Sequence, residues 1–120
     1  MRLVRVVNKT RGTTVGESVE IANTSFTRMW GLLGRRGLDA GGGLWIMPSS
    51  GVHTMGMRFT IDVVGLDKQM RVIKLWQELV PYRVTSVSMK MRSVIELAAG
   101  KIRESKIEVG DVLEVTPKAS

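Results

Sequence analysis

Cysteine is absent from the 120 residues, histidine occurs once, and aromatic residues make up only 5%. Without cysteine there is no disulfide framework, no thiolate metal site and no cysteine nucleophile. With so few rings, aliphatic side chains and the eight methionines must fill most of the core. Long apolar runs are missing too. No window approaches the ~20 residues of a membrane-spanning helix. The apolar start of the chain is broken by Arg5 and ended by Asn8 and Lys9. A signal peptide needs ~7–15 unbroken apolar residues, so none is expected there. These absences together fit a cytoplasmic protein, which is the expected location. Internal repeats, low-complexity tracts and Pro/Ser linkers are also lacking. The cluster Gly41-Gly42-Gly43 reads as a loop, because hydrophobic segments that need partners lie on both sides.

What is there suits one domain, residues 1–120, with 43% apolar residues and length enough for a single core. The net charge is +7, and it is uneven. Residues 1–60 carry eight Lys/Arg against three Asp/Glu, and residues 61–120 carry ten against eight. Such a surface attracts nucleic acid, acidic partners or anionic lipid, although solubility alone accounts for charge of this size.

Strand signals dominate. Leu3–Val7 is short and β-branched. Glu17–Ala22 alternates, with Val19 and Ile21 on one face. Gly43–Met47 is an apolar run stopped by Pro48. Phe59–Leu66 and Met70–Leu79 flank Asp67-Lys68-Gln69 and read as a hairpin. Ser93–Ala98 and Asp111–Thr116 supply two more strands. In the segment Asn23–Arg36, Phe26, Met29, Trp30 and Leu33 fall on one helical stripe. Asn23 or Thr24 can cap its start, Gly34 its end, and Arg35 and Arg36 then sit where the helix dipole favours cations. The expected fold is mainly β (α+β): a curled antiparallel or mixed sheet, or small barrel, with one covering helix over about 24–33 and a short helix near 101–106.

The stretch "GVHTMGMRFTID", residues 51–62, holds the one histidine. Read as a strand over 53–61, it puts His53, Met55, Met57, Phe59 and Ile61 on one face and Thr54, Gly56, Arg58, Thr60 and Asp62 on the other. The plain reading is a core strand that begins with a partly exposed histidine. His53, Met55 and Met57 offer a nitrogen and two thioethers, which suit Cu(I). In a strand, however, His53 and Met57 would stand ~13 Å apart, and no second histidine adds a ligand. Neither a metal nor a cofactor is expected. His53 with Asp62 is the candidate acid/base pair. Parity separates the two in a regular strand, so the pair needs a bulge at Gly56 or a loop over 53–57.

The ordered pieces "GLLGRRGL", "GLWIMPSSGVHTMGMRFTIDVVGLD", "VPYR" and "SVIELAAGKIRESKIEVGDVLEV" resemble the family known as domain of unknown function 192. The likeness runs from about Asn23 to Val115. His53, Thr54, Met57, Arg58, Asp62, Arg83, Glu96, Gly100, Gly110 and Asp111 fall on pattern positions. Ser49 replaces a frequent cysteine, Gly56 a bulky residue, Thr60 a proline and Gly65 a phenylalanine, and Lys68-Gln69 replaces an Asp-Gly turn. The resemblance implies a compact β-rich domain with no assigned activity, and these departures suggest a loosened hairpin.

The functional expectation is a binding module for a small anionic or polar ligand near His53, Arg58 and Arg83, with Thr54, Met57 and Trp45 lining the site. Polar groups around an apolar sheet mouth make such a site, and paired arginines favour a carboxylate, sulfate or phosphate. Two alternatives stand beside it. One is nucleic-acid binding through the basic surface, which no recognition motif supports. The other is an enzyme that uses His53 as acid/base. The sequence names no reaction and does not fix the oligomeric state.

Overall fold

The computed structural model describes residues 2–118, and seven strands dominate it. In chain order the elements are β1 (Leu3–Asn8), β2 (Thr13–Ala22), α1 (Ser25–Trp30), β3 (Gly42–Ile46), β4 (Ile61–Leu66), β5 (Val72–Leu79), β6 (Ser93–Ala98), α2 (Lys101–Glu104) and β7 (Leu113–Pro117). They form one mixed sheet in the order β5-β4-β6-β3-β2-β1-β7. Every neighbouring pair is antiparallel except β2 and β3, which run parallel. A parallel neighbour cannot be reached by a hairpin, so residues 23–41 cross over one face of the sheet to join them.

The sheet curls into a half-barrel. Its two edges approach where β5 and β7 begin: the Val72 N–H donates to the Asp111 carbonyl at 2.7 Å, and the Leu113 N–H donates to the Met70 carbonyl at 2.9 Å. The concave side encloses one core, with Val6, Val19, Leu66, Ile95, Leu97 and Ile102 all 1% exposed or less. Removing each such side chain from water contributes about 1.5–3 kcal/mol. A second cluster lies on the convex side, where the crossover lays Leu32 against Leu44, Ile46, Val63 and Val94. Strand alternation sorts the residues between the two. In β6, Ile95 and Leu97 face inward, while Val94 and Glu96 face the crossover.

The covering helix is shorter than its stripe suggests. Thr24 caps it by accepting from the Thr27 N–H, and Thr27 returns the favour to the Thr24 N–H. Gly31, at φ 37°, ends it, not Gly34. Leu33 and Arg35 therefore lie beyond the helix, and the side chains of Phe26, Met29 and Trp30 lie outside what the structure describes. The short helix near 101–106 is α2.

The strand read over 53–61 does not form. Only His53 makes a ladder contact, an isolated bridge to Val84, and β4 begins at Ile61. The Met57 N–H folds back onto the Thr54 carbonyl at 3.2 Å, and Gly56 takes φ 78°, a conformation that favours glycine. The face assignments made for that stretch consequently lapse. Conversely, β2 starts four residues earlier than the alternation at Glu17 indicates, because the Gly12 turn returns Thr13 directly onto Asn8 of β1.

A candidate ligand-binding cleft

Glu96 sits between two apolar neighbours. Across the ladder it faces Leu44 of β3 on one side and Val63 of β4 on the other. Both belong to the convex cluster, and Glu96 itself is only 6% exposed. No side-chain or backbone donor among the described residues reaches its carboxyl within hydrogen-bonding distance. Burial pushes the Glu96 carboxyl up to about 7, against a smaller opposing pull from the Arg35 guanidinium. Arg35 is itself engaged, donating to Glu20 at 2.6 Å.

Glu96 opens into a cleft of about 160 Å³ between the crossover and the loop that follows β3. Leu32, Ile46, Val52 and Met57 give it apolar walls. Arg28 and His53 line it as well, and both are exposed, which places them at its mouth. Ser49 also lines it, but its hydroxyl already donates to the Gly51 carbonyl at 2.7 Å. The arrangement is a buried carboxyl on an apolar floor, with a guanidinium and an imidazole above it. Chemically, it can accept a hydrogen bond at the floor and meet negative charge at the rim.

The residues expected at a site are distributed differently. His53 and Met57 line this cleft; Thr54, Arg58, Arg83 and Trp45 do not. Thr54 is fully buried and ties two loops together: its hydroxyl donates to the Val80 carbonyl at 2.7 Å and accepts from the Arg83 N–H at 2.8 Å. Arg58 and Arg83 are exposed, and an Arg83 guanidinium nitrogen donates to the Tyr82 carbonyl at 3.2 Å. Trp45 turns to the opposite side of the sheet from Leu44, against the concave core, where its Nε1 has no partner among the described residues.

Asp62 is committed elsewhere. One carboxylate oxygen accepts from the Glu78 N–H at 2.8 Å; the other accepts from Gly100 and Ile102 at 3.1 and 2.9 Å. It fastens the start of α2 to the end of β5 and does not line the cleft with His53. Sequence reasoning placed Glu96 on a family pattern but not in the site, and it passed over Arg28. The available signal was a single carboxylate in the alternating run "SVIELA", where a polar residue falls on a face that otherwise reads as buried.

The fold is that of an uncharacterised β-domain class: the chain is a member of the DUF192 family, described as "Uncharacterized ACR, COG1430", whose profile matches residues 6–115. Among its relatives, a UPF0127 protein of Thermococcus kodakarensis is 26% identical over 93% of this chain and 73% of that protein. A UPF0127 protein of Thermococcus gammatolerans is 28% identical over 94% of this chain and 77% of its own length. Two crystal structures share the fold. A protein of unknown function from Novosphingobium aromaticivorans superposes with a TM-score of 0.79 at 21% identity, covering 93% of this chain and 83% of that one. One from Sinorhizobium meliloti, described as a "putative transcription regulator", gives 0.80 at 22% identity, covering 95% and 92%.

Proposed function

We propose that this DUF192 domain is a binding module for a small polar or charged molecule, held in the cleft over Glu96. The observation that carries this reading is the Glu96 carboxyl, 6% exposed, set among hydrocarbon and lining the cleft. A carboxyl so largely withdrawn from water gains from any partner that completes its hydrogen bonding. A ligand that brings an N–H or O–H donor to the floor supplies that partner. Arg28 and His53 at the mouth would take an anionic or polar group at the other end. The cleft's volume of about 160 Å³ admits a moiety of roughly benzene's bulk, so the inserted part is small and its body apolar.

5-Aminopentanoate is a suitable probe, with pentylamine lacking the carboxylate and pentanoate lacking the ammonium. Backbone amide shifts of Glu96, His53 and Met57 report where each goes. The expected order is 5-aminopentanoate tightest, then pentylamine, then pentanoate, with binding of the first two weakened about tenfold or more in Glu96→Gln. If pentanoate binds as well as 5-aminopentanoate, or Glu96→Gln changes nothing, the carboxyl is not the anchor and the reading falls.

An acid/base enzyme is the second reading, supported by a carboxyl near 7 in the same cleft as His53. It differs in requiring turnover. Nucleic-acid binding draws support only from the basic charge and from the description of the Sinorhizobium relative.

A further inference from the structure

Large hydrophobic residues are exposed mainly in one place. Val80, Tyr82, Val84, Val87 and Met89 are 41–90% exposed, and they fall within ten consecutive residues. This segment is not a loose tail. It runs as a ribbon beside residues 49–54: Thr54 donates to the Arg83 carbonyl at 2.7 Å, Thr85 to Val52 at 2.9 Å, Ser88 to Ser50 at 3.1 Å, and Ser49 to Arg92 at 2.9 Å. Thr85 turns inward and is 8% exposed, while the valines around it stay in water. Met55, 46% exposed, extends the same edge. Fixed, exposed aliphatic side chains of this density mark a contact surface.

The charge around them has one sign. Residues 79–95 contain Arg83, Lys90 and Arg92 and not a single Asp or Glu. Residues 40–61, which carry the partner strip, contain Arg58 and likewise no acid. Arg28 shares a surface groove with Met89 and Arg92. None of these five cations is in an ion pair among the described residues.

We propose that this edge is a docking surface for an anionic lipid bilayer, with Val84, Val87 and Met89 entering the headgroup–acyl boundary and Arg83, Lys90 and Arg92 meeting lipid phosphates and carboxylates. The pairing of apolar and cationic groups without acids is the chemistry that such surfaces select. Single-stranded nucleic acid would call for stacking rings, and Tyr82 is the one aromatic residue in the ribbon; a duplex would meet the cations but give the exposed valines and Met89 no apolar partner. The inference does not depend on the cleft being a ligand site.

Co-sedimentation of the full chain with vesicles tests it. Phosphatidylserine/phosphatidylcholine vesicles should carry down the protein at least about tenfold more strongly than phosphatidylcholine alone, and raised salt should weaken binding. Val87→Ser/Met89→Ser and Lys90→Gln/Arg92→Gln should each lower partition severalfold. All four residues are solvent-exposed, so the variants should fold; their near-ultraviolet spectra and melting curves check that. Equal binding to both vesicle types, or full binding by the folded Val87→Ser/Met89→Ser variant, would overturn the proposal. So would binding to duplex DNA without binding to anionic vesicles.

Discussion

Thr54 holds Arg83 by two hydrogen bonds, one from its backbone and one through its side chain: the Thr54 N–H donates to the Arg83 carbonyl at 2.7 Å, and the Arg83 N–H donates to the Thr54 hydroxyl at 2.8 Å. The same hydroxyl donates to Val80. One side chain therefore stands in for a missing stretch of ladder between two loops. Replacing it with the isosteric valine leaves the part-buried Arg83 N–H and Val80 carbonyl without this partner. Thr54→Val should lower stability by about 1–3 kcal/mol in urea unfolding. Amide exchange should accelerate at Arg83 more than in β1 or β2.

Asp62 performs a similar task with charge. Three backbone N–H groups converge on its two oxygens. Asp62→Ala should destabilise by about 3 kcal/mol or more, since hydrogen bonds to charged groups contribute ~1.5–3 kcal/mol each. Asp62→Asn, which keeps one acceptor oxygen, should fall between that variant and wild type. Both are read by denaturant titration. An acid/base partner of His53 would instead show its loss in a pH–rate profile with the fold intact.

Glu96 makes stability depend on pH in the direction opposite to most carboxylates. Its folded value of about 7 lies above the 4.5 of the free group. Between these values the folded state holds a proton that the unfolded state has released. Stability should therefore be full below the lower value and decline as pH rises, by about 3 kcal/mol in all, levelling off above pH 7. Glu96→Gln should remove that slope, as followed by melting curves across pH 5–8.

Asp111 acts with the usual sign and at lower pH. Burial alone would raise it, but hydrogen bonds from Arg11, Asn8 and the Glu108 backbone hold it below the ordinary carboxylate range. Its contribution is present above that range and is lost as pH falls below the ordinary value. Asp111→Asn should flatten the acid limb of the same melting series without altering the Glu96 limb.

Gly65 of β4 lies directly against the Met91 side chain. A Cβ added there would lie 2.2 Å from the Met91 sulfur. Met91 fills the space, and the hairpin turn is held instead by Asp67, which accepts from the Gln69 and Arg71 N–H groups at 2.9 Å. Gly65→Ala should cost about 1–3 kcal/mol by overpacking. In combination with Met91→Ala the two losses should be less than additive, a coupling that a double-mutant cycle measures.

Strand positions were legible because β-branched runs alternate: β6 coincides with the run read at Ser93–Ala98, and Val19 and Ile21 share the concave core. The half-barrel followed from the number of strands and the short turns between them. The site was less legible. The 53–61 stretch alternates in composition, yet Thr54 withdraws it from the sheet by satisfying backbone groups locally, and no pattern of hydrophobicity encodes that competition. Arg58 and Arg83 lie off the cleft while Arg28 lines it, because charge says nothing about which way a loop faces. Glu96 escaped notice for the converse reason: its burial comes from the crossover laid over β6, a contact between residues more than sixty positions apart.

The parallel step between β2 and β3 has a consequence for how this architecture can vary. Connectivity alone obliges some segment to pass over the convex face, whatever its composition, so a recess beneath it is a by-product of topology. The concave core lies on the other side of the sheet. Exposed positions within 23–41, Arg28 among them, can thus redraw the rim of the recess while buried Leu32 keeps the span anchored on the convex cluster, which lets one framework be retuned to different occupants through the surface side chains of a single span.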